Sequence, residues 1–122
     1  MSDLPMNIKV SVRLFFGDGK CFGPGPAELL KAIDSYGSLR SAAAAMSMSY
    51  SKAWKMLRSC ENELGFLLLK REVGGKNGGF SQLTQRGRCF LEQYDILESK
   101  LCKYGNDVVG ELFNETLNTE EG

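Results

Sequence analysis

Histidine is missing altogether from this chain of 122 residues. Because histidine is the commonest general acid or base and a frequent metal ligand, its absence disfavours many kinds of catalytic and metal site. Serines and carboxylates are present, but no short stretch sets a nucleophile beside a base. We therefore expect a protein that is not an enzyme and that has no catalytic residues, no metal site and no cofactor.

Cysteine is scarce and widely spaced, and the four residues form no C-x-x-C pair. Such a pattern disfavours zinc sites and disulfide frameworks. The favoured interpretation is that Cys21, Cys60, Cys89 and Cys102 are reduced thiols that pack as small apolar groups. A redox switch is the alternative that the sequence leaves open.

Long hydrophobic runs are also missing, since no apolar stretch approaches the roughly 20 residues that a membrane span needs. The first ten residues, MSDLPMNIKV, do not combine a basic stretch with a long apolar one, so they do not resemble an export signal. We expect a cytoplasmic protein with no membrane partner. A chain of this length, with 43% hydrophobic and 25% charged residues, suits one modest domain over residues 1–122.

Net charge is zero, because 15 basic and 15 acidic residues cancel, but the two signs are unevenly distributed. Residues 1–38 hold four of each sign, residues 39–90 hold nine basic and three acidic, and residues 91–122 hold two basic and eight acidic. A basic middle segment attracts polyanions through phosphate neutralisation and counterion release. A merely solvated, unevenly charged surface is the other interpretation, and charge alone does not separate the two.

In the N-terminal stretch IKVSVRLFF, residues 8–16, apolar residues occupy every second position. Period two with β-branched residues predicts a strand. The GDGK that follows is typical of a hairpin turn, so we expect an N-terminal hairpin over residues 8–22. One face of the strand would carry Ile8, Val10, Val12, Leu14 and Phe16.

Three helical segments are predicted within residues 27–64. The segment 39–46 is short and rich in alanine, which allows close approach of another helix, and the segment 50–64 is longer. Ser38 and Ser49 are suitable N-caps for these two segments. Two helices joined by a short turn predict a helix-turn-helix unit over residues 39–64. The preceding segment, 27–37, ends at Gly37 and places Leu29, Leu30, Ile33 and Tyr36 on one face.

The second helix of that unit has two chemically different faces. Its outer face carries Ser51, Lys52 and Lys55, with Arg58 one turn later. A recognition helix needs such donors near its N-terminus to reach bases and phosphates in the major groove. Tyr50 either packs or brings its hydroxyl to a phosphate while the ring packs. The opposite arc, in which we expect Trp54 to pack, holds Tyr50, Ala53, Trp54, Leu57, Cys60, Glu61 and Leu64.

Four glycines flank a lysine and an asparagine in GGKNGG, residues 74–79. The runs FLLLKRE before it and SQLT after it suit short strands, so residues 66–84 are predicted to form a wing behind the helix-turn-helix. Lys76 at the tip would then follow a DNA backbone or enter the minor groove. A nucleotide-binding loop is rejected, because Lys70 and Asn77 occupy positions where G-x-x-x-x-G-K-[ST] requires glycine and serine or threonine.

An apolar stripe with spacings of four and three runs through the C-terminal part of the chain, behind Thr84 as the expected cap. Such a heptad-like stripe favours a dimer helix over residues 85–117, with packing onto the domain's own core as the alternative. Gly105 and Gly110 are expected to break or kink it, giving one helix to about residue 104 and a second segment beyond. The stripe consists of Phe90, Tyr94, Leu97, Leu101, Tyr104 and Val108.

The string SLRSAAAAMSMSYSKAWKMLRSCENELGFLLLKREVGGKNGGFSQLTQRGRCFLEQY resembles the N-terminal DNA-binding domain of the molybdate-responsive, ModE-type transcriptional regulators. MSYSKAW, ELGFLLLKRE and the GGKNGG wing carry the resemblance, which covers residues 8–104. It implies an α+β, mostly helical fold: a LysR-like winged helix-turn-helix with an N-terminal hairpin and a long C-terminal dimerisation helix. It also implies a homodimer that binds a palindromic operator on double-stranded DNA and controls transcription.

The resemblance places DNA contacts on the recognition helix and the wing, and dimer contacts on the N-terminal strand, the first helix and the last helix. Together with the neighbouring basic residues, the expected DNA-binding set is Arg40, Ser49, Tyr50, Ser51, Lys52, Lys55, Arg58, Arg71, Lys76 and Asn77. The expected dimer interface comprises Val10, Val12, Leu14, Leu30, Tyr94, Leu97, Leu101, Tyr104 and Val108.

The sequence also departs from the family pattern. Ser51 stands where the family usually has lysine, which favours a different operator sequence, and Asn77 stands where it more often has glycine. The 122 residues leave no room for the C-terminal domains that bind the oxyanion, so we expect no small-molecule ligand. A link to molybdate or other metal-oxyanion genes is what the resemblance implies.

The favoured function is therefore a sequence-specific, repressor-type regulator. The alternative is a winged-helix module that binds other proteins, since fold does not fix function. Such a module would have no need for a basic middle segment or for a lysine at a glycine-rich tip. An enzyme or a ligand-binding regulator is disfavoured, because the sequence offers neither a catalytic cluster nor a polar pocket.

Overall fold

The computed structural model describes residues 6–71 and 81–119, which form four helices and two small antiparallel sheets. This mostly helical α+β architecture confirms the predicted fold class. The chain divides into two compact units, the first from Val12 to Gln93 and the second formed by the ranges 1–11 and 94–122. In chain order the elements are β1 (Leu14–Phe16), β2 (Gly19–Phe22), α1 (Pro24–Tyr36), α2 (Leu39–Ala45), α3 (Tyr50–Leu64), β3 (Leu69–Arg71), β4 (Ser81–Leu83) and α4 (Gln85–Asn118).

The N-terminal hairpin of the first unit is shorter than predicted. Its strand begins at Leu14 rather than at residue 8, and it pairs with β2 around the turn after Phe16. A strand extends only as far as its partner, and β2 ends at Phe22 because Gly23 and Pro24 lead directly into α1. The apolar alternation of residues 8–13 was therefore not sufficient for a strand.

Helix α1 supplies three of the six largest fully buried side chains of the first unit. Pro24 opens the helix, and Gly37 ends it in the left-handed conformation, with φ of 83°, as its position predicts. Tyr36, which was predicted to share a helix face with Leu29, Leu30 and Ile33, is the last helical residue and is 59% exposed, whereas the other three are buried. The largest fully buried side chains of the unit are Phe22, Leu29, Leu30, Ile33, Leu57 and Leu68.

Helices α2 and α3 form the predicted helix-turn-helix. The side chains of Ser38 and Ser49 accept hydrogen bonds from the backbone N–H groups of Ser41 and Lys52, so both predicted N-caps are confirmed. Small buried alanines let α2 pack against α1 and α3. The turn between the helices places Ser47 at a φ of 56°, a left-handed conformation that is uncommon outside glycine.

Strands β3 and β4 form the base of the predicted wing. They pair antiparallel, with Leu69 opposite Leu83 and Arg71 opposite Ser81. The predicted tip residues Lys76 and Asn77 lie outside the described residues.

Helix α4 begins against the base of the wing. The Thr84 side chain accepts a hydrogen bond from the Gly87 N–H at 2.8 Å, which confirms Thr84 as the cap. Its hydroxyl also donates to the Leu67 carbonyl at 2.7 Å. A Cβ atom at Gly87 would lie 2.6 Å from the Leu68 carbonyl oxygen, so only glycine allows this approach of helix and backbone.

In the second unit α4 continues without a break to Asn118, so the predicted interruption at Gly105 and Gly110 is wrong. Gly105 instead receives the side chain of Ile8, whose Cδ1 atom occupies the space that a Cβ atom would need. The backbone N–H of Ile8 donates to the Asn106 Oδ1 atom at 2.8 Å. Packing of the N-terminal segment thus offsets the low helix propensity of this glycine.

Candidate nucleic-acid interface

The N-terminal half of α3 presents a polar, positively charged face. Ser51, Lys52 and Lys55 are all exposed, as the helical periodicity predicts. Because Ser49 caps the helix through the Lys52 N–H, these side chains project from an ordered first turn. The partial positive charge of a helix N-terminus adds to the two ammonium groups, so this face favours anions.

Arg40 of α2 lies over the ring of Tyr50 at the start of α3. The distance from its Cζ atom to the ring centroid is 4.7 Å, within the range of a cation–π interaction. Tyr50 is 40% exposed, so its ring packs under the guanidinium instead of entering the core. The two residues bring a positive charge and a hydroxyl to the joint of the helix-turn-helix.

Arg58 is held within α3 by two neighbours. Its guanidinium lies 5.5 Å from the ring centroid of Trp54 and 3.9 Å from the Glu61 carboxylate. Trp54 is half-buried, so the expectation of a core tryptophan is met only in part. These contacts place the Arg58 guanidinium beside Trp54 on one side and Glu61 on the other.

Glu61 is the residue of this region whose role the sequence did not indicate. Its buried carboxylate accepts the backbone N–H groups of Leu68 and Leu69, at 2.8 and 3.2 Å, just before and at the start of β3. A buried carboxylate needs such partners. Helical spacing had placed Glu61 on the arc of α3 that faces the core. A charged residue at such a position was the one sign in the sequence of a structural role for its carboxylate.

A second ion pair joins α1 to the start of α4. The Arg88 guanidinium donates two hydrogen bonds to the Asp34 carboxylate, at 2.8 and 2.9 Å. These bonds, with the attraction of the same guanidinium, hold the pKa of Asp34 below its ordinary value. Arg88 is thus occupied within the fold, and nothing in the sequence linked two residues so far apart.

The cysteines differ in exposure. Cys21 and Cys60 are buried, Cys102 is half-buried and Cys89 is exposed. Burial raises the pKa of Cys60 to about 12, and Cys21 and Glu61 act in the same direction. Burial likewise raises the pKa of Cys21, with a smaller contribution from Glu63. Both buried thiols are therefore protonated at neutral pH, which suits their predicted role as packing groups.

The residues assigned to a dimer interface are buried, half-buried or exposed in this chain. Leu30 is completely buried in the core of the first unit, so its assignment to a contact surface was wrong. Val12 and Tyr94 are also buried, and Val10, Leu14 and Val108 are half-buried. On α4, Leu97, Leu101 and Tyr104 are exposed, and Leu112 continues their stripe one turn beyond Val108.

Within residues 6–71 and 81–119, no three His, Cys, Asp or Glu side chains group in a way that could hold a metal ion. None of the described helices combines the length and the apolar character that crossing a membrane requires.

Comparison with known proteins gives one family and several relatives. The model of bacterial regulatory helix-turn-helix proteins of the LysR family matches residues 27–88. The chain is 35% identical over 97 residues to the transcriptional regulator ModE of Haemophilus influenzae, across 80% of this chain and 36% of that protein. It is 29% identical over 96 residues to the DNA-binding transcriptional dual regulator ModE of Escherichia coli K12, across 79% and 34%. The chain thus spans about a third of the length of these curated relatives.

Solved structures give the same fold. The DNA-binding domain of CbnR, in complex with DNA, superposes with a TM-score of 0.55 at 22% identity, across 71% of this chain and 94% of that chain. Full-length CbnR with its target DNA gives a TM-score of 0.54 at 22% identity, across 70% and 28%. At this identity the likeness establishes the winged helix-turn-helix fold.

Proposed function

Because this chain belongs to the LysR-type family of bacterial regulatory helix-turn-helix proteins, we propose that it controls transcription by binding double-stranded DNA as a homodimer. The resemblance to ModE-type regulators that the sequence motifs carry is confirmed by the curated relatives. Two solved structures of the same fold are described as DNA complexes, which supports DNA as the partner proposed for this chain.

The observation that carries the proposal is the exposed face of α3. Lys52 and Lys55 would neutralise phosphates while Ser51 reads a base edge in the major groove. Arg40 and Tyr50, which stack on each other where α2 leads into α3, would contact the neighbouring phosphates of the DNA backbone. Ser51 is too short to reach as far as a lysine at the same position, so the preferred bases differ from those of regulators that have lysine there.

The proposal of a homodimer rests on the second unit. A row of exposed apolar side chains along α4 would be costly to leave in water, and such rows mark interaction surfaces. This row would be covered if it packed against the same row of a second copy, related to the first by a two-fold axis. A dimer with that symmetry binds a palindromic DNA site. The row consists of Leu97, Leu101, Tyr104 and Leu112.

The finer features of the function follow from the family. We infer a repressor-type regulator that acts in the cytoplasm, where bacterial DNA lies. A further curated relative, 39% identical over 70 residues, is named the molybdenum transport protein ModE of Azotobacter vinelandii, and we propose that the target genes of this chain serve molybdenum or another metal oxyanion. The protein-binding module is the competing function, and the test below separates the two.

Selection of bound DNA from a random double-stranded pool tests this function. The full chain should enrich one pseudo-palindromic sequence whose half-sites lie about one helical turn apart. Single half-sites without symmetry would contradict the homodimer. A folded chain that retains no DNA even at low salt would contradict DNA binding and favour the protein-binding module.

A further inference from the structure

A cavity of about 250 Å³ lies beside α3, and neither Lys52 nor Lys55 is among the residues that line it. Its wall is formed by the end of β2, the loop of residues 23–26 that leads into α1, and the middle of α3. The DNA-binding function described above makes no use of this cavity.

Three of its lining residues carry sulfur. Cys21 comes from β2, and Met56 and Cys60 come from α3, where a spacing of four residues puts them on one face. Both cysteines are only 3% exposed. Ser59 and Arg13 are also among the lining residues. Among the residues that the structure describes, no Asp or Glu lines the cavity, and hard cations prefer such oxygen ligands.

The loop keeps space open beside the thioether. A Cβ atom at Gly25 would lie 3.7 Å from the Met56 sulfur and 3.6 Å from its methyl carbon. Any side chain at that position would therefore begin in contact with Met56 and extend into the space around it. The cavity is far larger than the volume one water molecule needs, so an ion and its remaining shell fit inside.

We propose that this cavity binds a soft monovalent cation, with Cu(I) as the probe, through the sulfur atoms of Cys21, Cys60 and Met56. Thiolate and thioether ligands select soft cations over harder ones. On binding, each of the two thiols releases its proton to solvent and forms a sulfur–metal bond. Two thiolates and one monovalent cation leave a single negative charge, which the positive charge of Arg13, one of the lining residues, would partly balance.

Such a site would join β2 to α3 in the folded state alone. A ligand that binds the native chain and not the unfolded one raises thermal stability in proportion to its free concentration. The outer face of α3, with Lys52 and Lys55, is not part of the site, so binding of Cu(I) does not require the proposed DNA binding.

The test is anaerobic titration of the reduced full chain with Cu(I) against a chromophoric Cu(I) chelator. The chain should retain one equivalent, show near-ultraviolet thiolate–copper absorption, and melt at a higher temperature. Cys21→Ala and Cys60→Ala should each weaken binding at least about tenfold, since even outer partners of metal ligands contribute that much. Cys89→Ala, which removes an exposed thiol elsewhere, is the matched control and should change nothing.

If the cysteine variants misfold, Met56→Leu still tests the site, because it keeps the volume of the side chain and removes only the sulfur. It should weaken Cu(I) binding while leaving the circular dichroism spectrum unchanged. X-ray absorption should show a first shell of sulfur alone. Failure of the wild type to retain Cu(I), a first shell of nitrogen or oxygen, or unchanged binding by the double variant of Cys21 and Cys60 would overturn the proposal.

Discussion

The Glu61 carboxylate accepts the backbone N–H of Leu68 at 2.8 Å, and this bond connects the C-terminal end of α3 to the segment that leads into β3. The same oxygen also accepts the Leu69 N–H at 3.2 Å. A single buried side chain thereby fixes the position of β3 relative to α3. Since both elements are proposed to contact one DNA site, their relative position matters for function as well as for stability.

Replacing Glu61 tests this connection. Glu61→Gln removes the charge and leaves a neutral amide oxygen as the acceptor of both N–H groups, and because hydrogen bonds to a charged group are the stronger ones we expect a loss of about 1–2 kcal/mol in the free energy of unfolding. Urea denaturation followed by circular dichroism measures it. Glu63→Gln, an exposed position on the same helix, should change the free energy of unfolding by less than about 0.5 kcal/mol. Equal effects of the two substitutions would show that the Glu61 carboxylate does not hold β3.

Gly87→Ala separates helix propensity from close packing. Alanine normally favours a helix by about 0.8–1 kcal/mol over glycine. Here its Cβ atom would lie 2.6 Å from the Leu68 carbonyl oxygen, so we expect destabilisation by about 1–3 kcal/mol instead. Thermal unfolding gives the sign directly. Gln85→Ala, at an exposed position of the same turn, is the control, and a gain in stability from Gly87→Ala would contradict the observed approach.

The sequence was sufficient for those features that depend on neighbours in the chain. The bounds of α3, the caps Ser38 and Ser49, and the end of α1 at Gly37 follow from local chemistry and are observed as predicted. The exposed face of Ser51, Lys52 and Lys55 follows from helical periodicity alone. Their contact with DNA stays a prediction.

The features that the sequence did not reveal depend on contacts between distant residues. Gly105 was expected to interrupt α4, but Ile8 fills the space beside it. Leu30 was assigned to a dimer surface because the whole of α1 was expected to contribute to it. Only the packing of α1 shows that the Leu30 side chain is buried. Likewise, the stacking of Arg40 on Tyr50 requires the angle between α2 and α3, which no local pattern specifies.

The ion pair of Asp34 and Arg88 predicts a dependence of stability on pH. The pKa of Asp34 is lowered in the folded chain, so its contribution is present above the ordinary aspartate pKa of about 4 and is lost as pH falls through the lower folded value. Both side chains are 45% exposed, which limits the contribution to about 1 kcal/mol or less.

Asp34→Asn should therefore destabilise the chain slightly at pH 7 and should match the wild type near pH 2. Denaturation at several pH values measures the difference between the two proteins. Because Arg88 has its hydrogen bonds to Asp34, an Arg88→Ala background should abolish the effect of Asp34→Asn. A difference that persists in that background, or that grows as the pH falls, would contradict the assignment.

The stack of Arg40 on Tyr50 should couple the two residues energetically. Tyr50→Phe keeps the ring and should retain the coupling, while Tyr50→Leu should lose it. A double-mutant cycle with Arg40→Ala is expected to give a coupling of about 0.5–1 kcal/mol in unfolding free energy for the aromatic ring. Equal coupling for phenylalanine and leucine would show that the ring does not hold the guanidinium.

The central claim is that the exposed face of α3 binds DNA, and the salt dependence of affinity for the selected operator tests it most directly. Lys52→Ala and Lys55→Ala should each lower the slope of log K against log salt by about 0.9, the value for one phosphate contact. Lys100→Ala and Lys103→Ala, which remove exposed lysines of α4, should leave the slope unchanged. Unchanged slopes and affinities for the two α3 variants, or equal losses for the two α4 variants, would contradict the account.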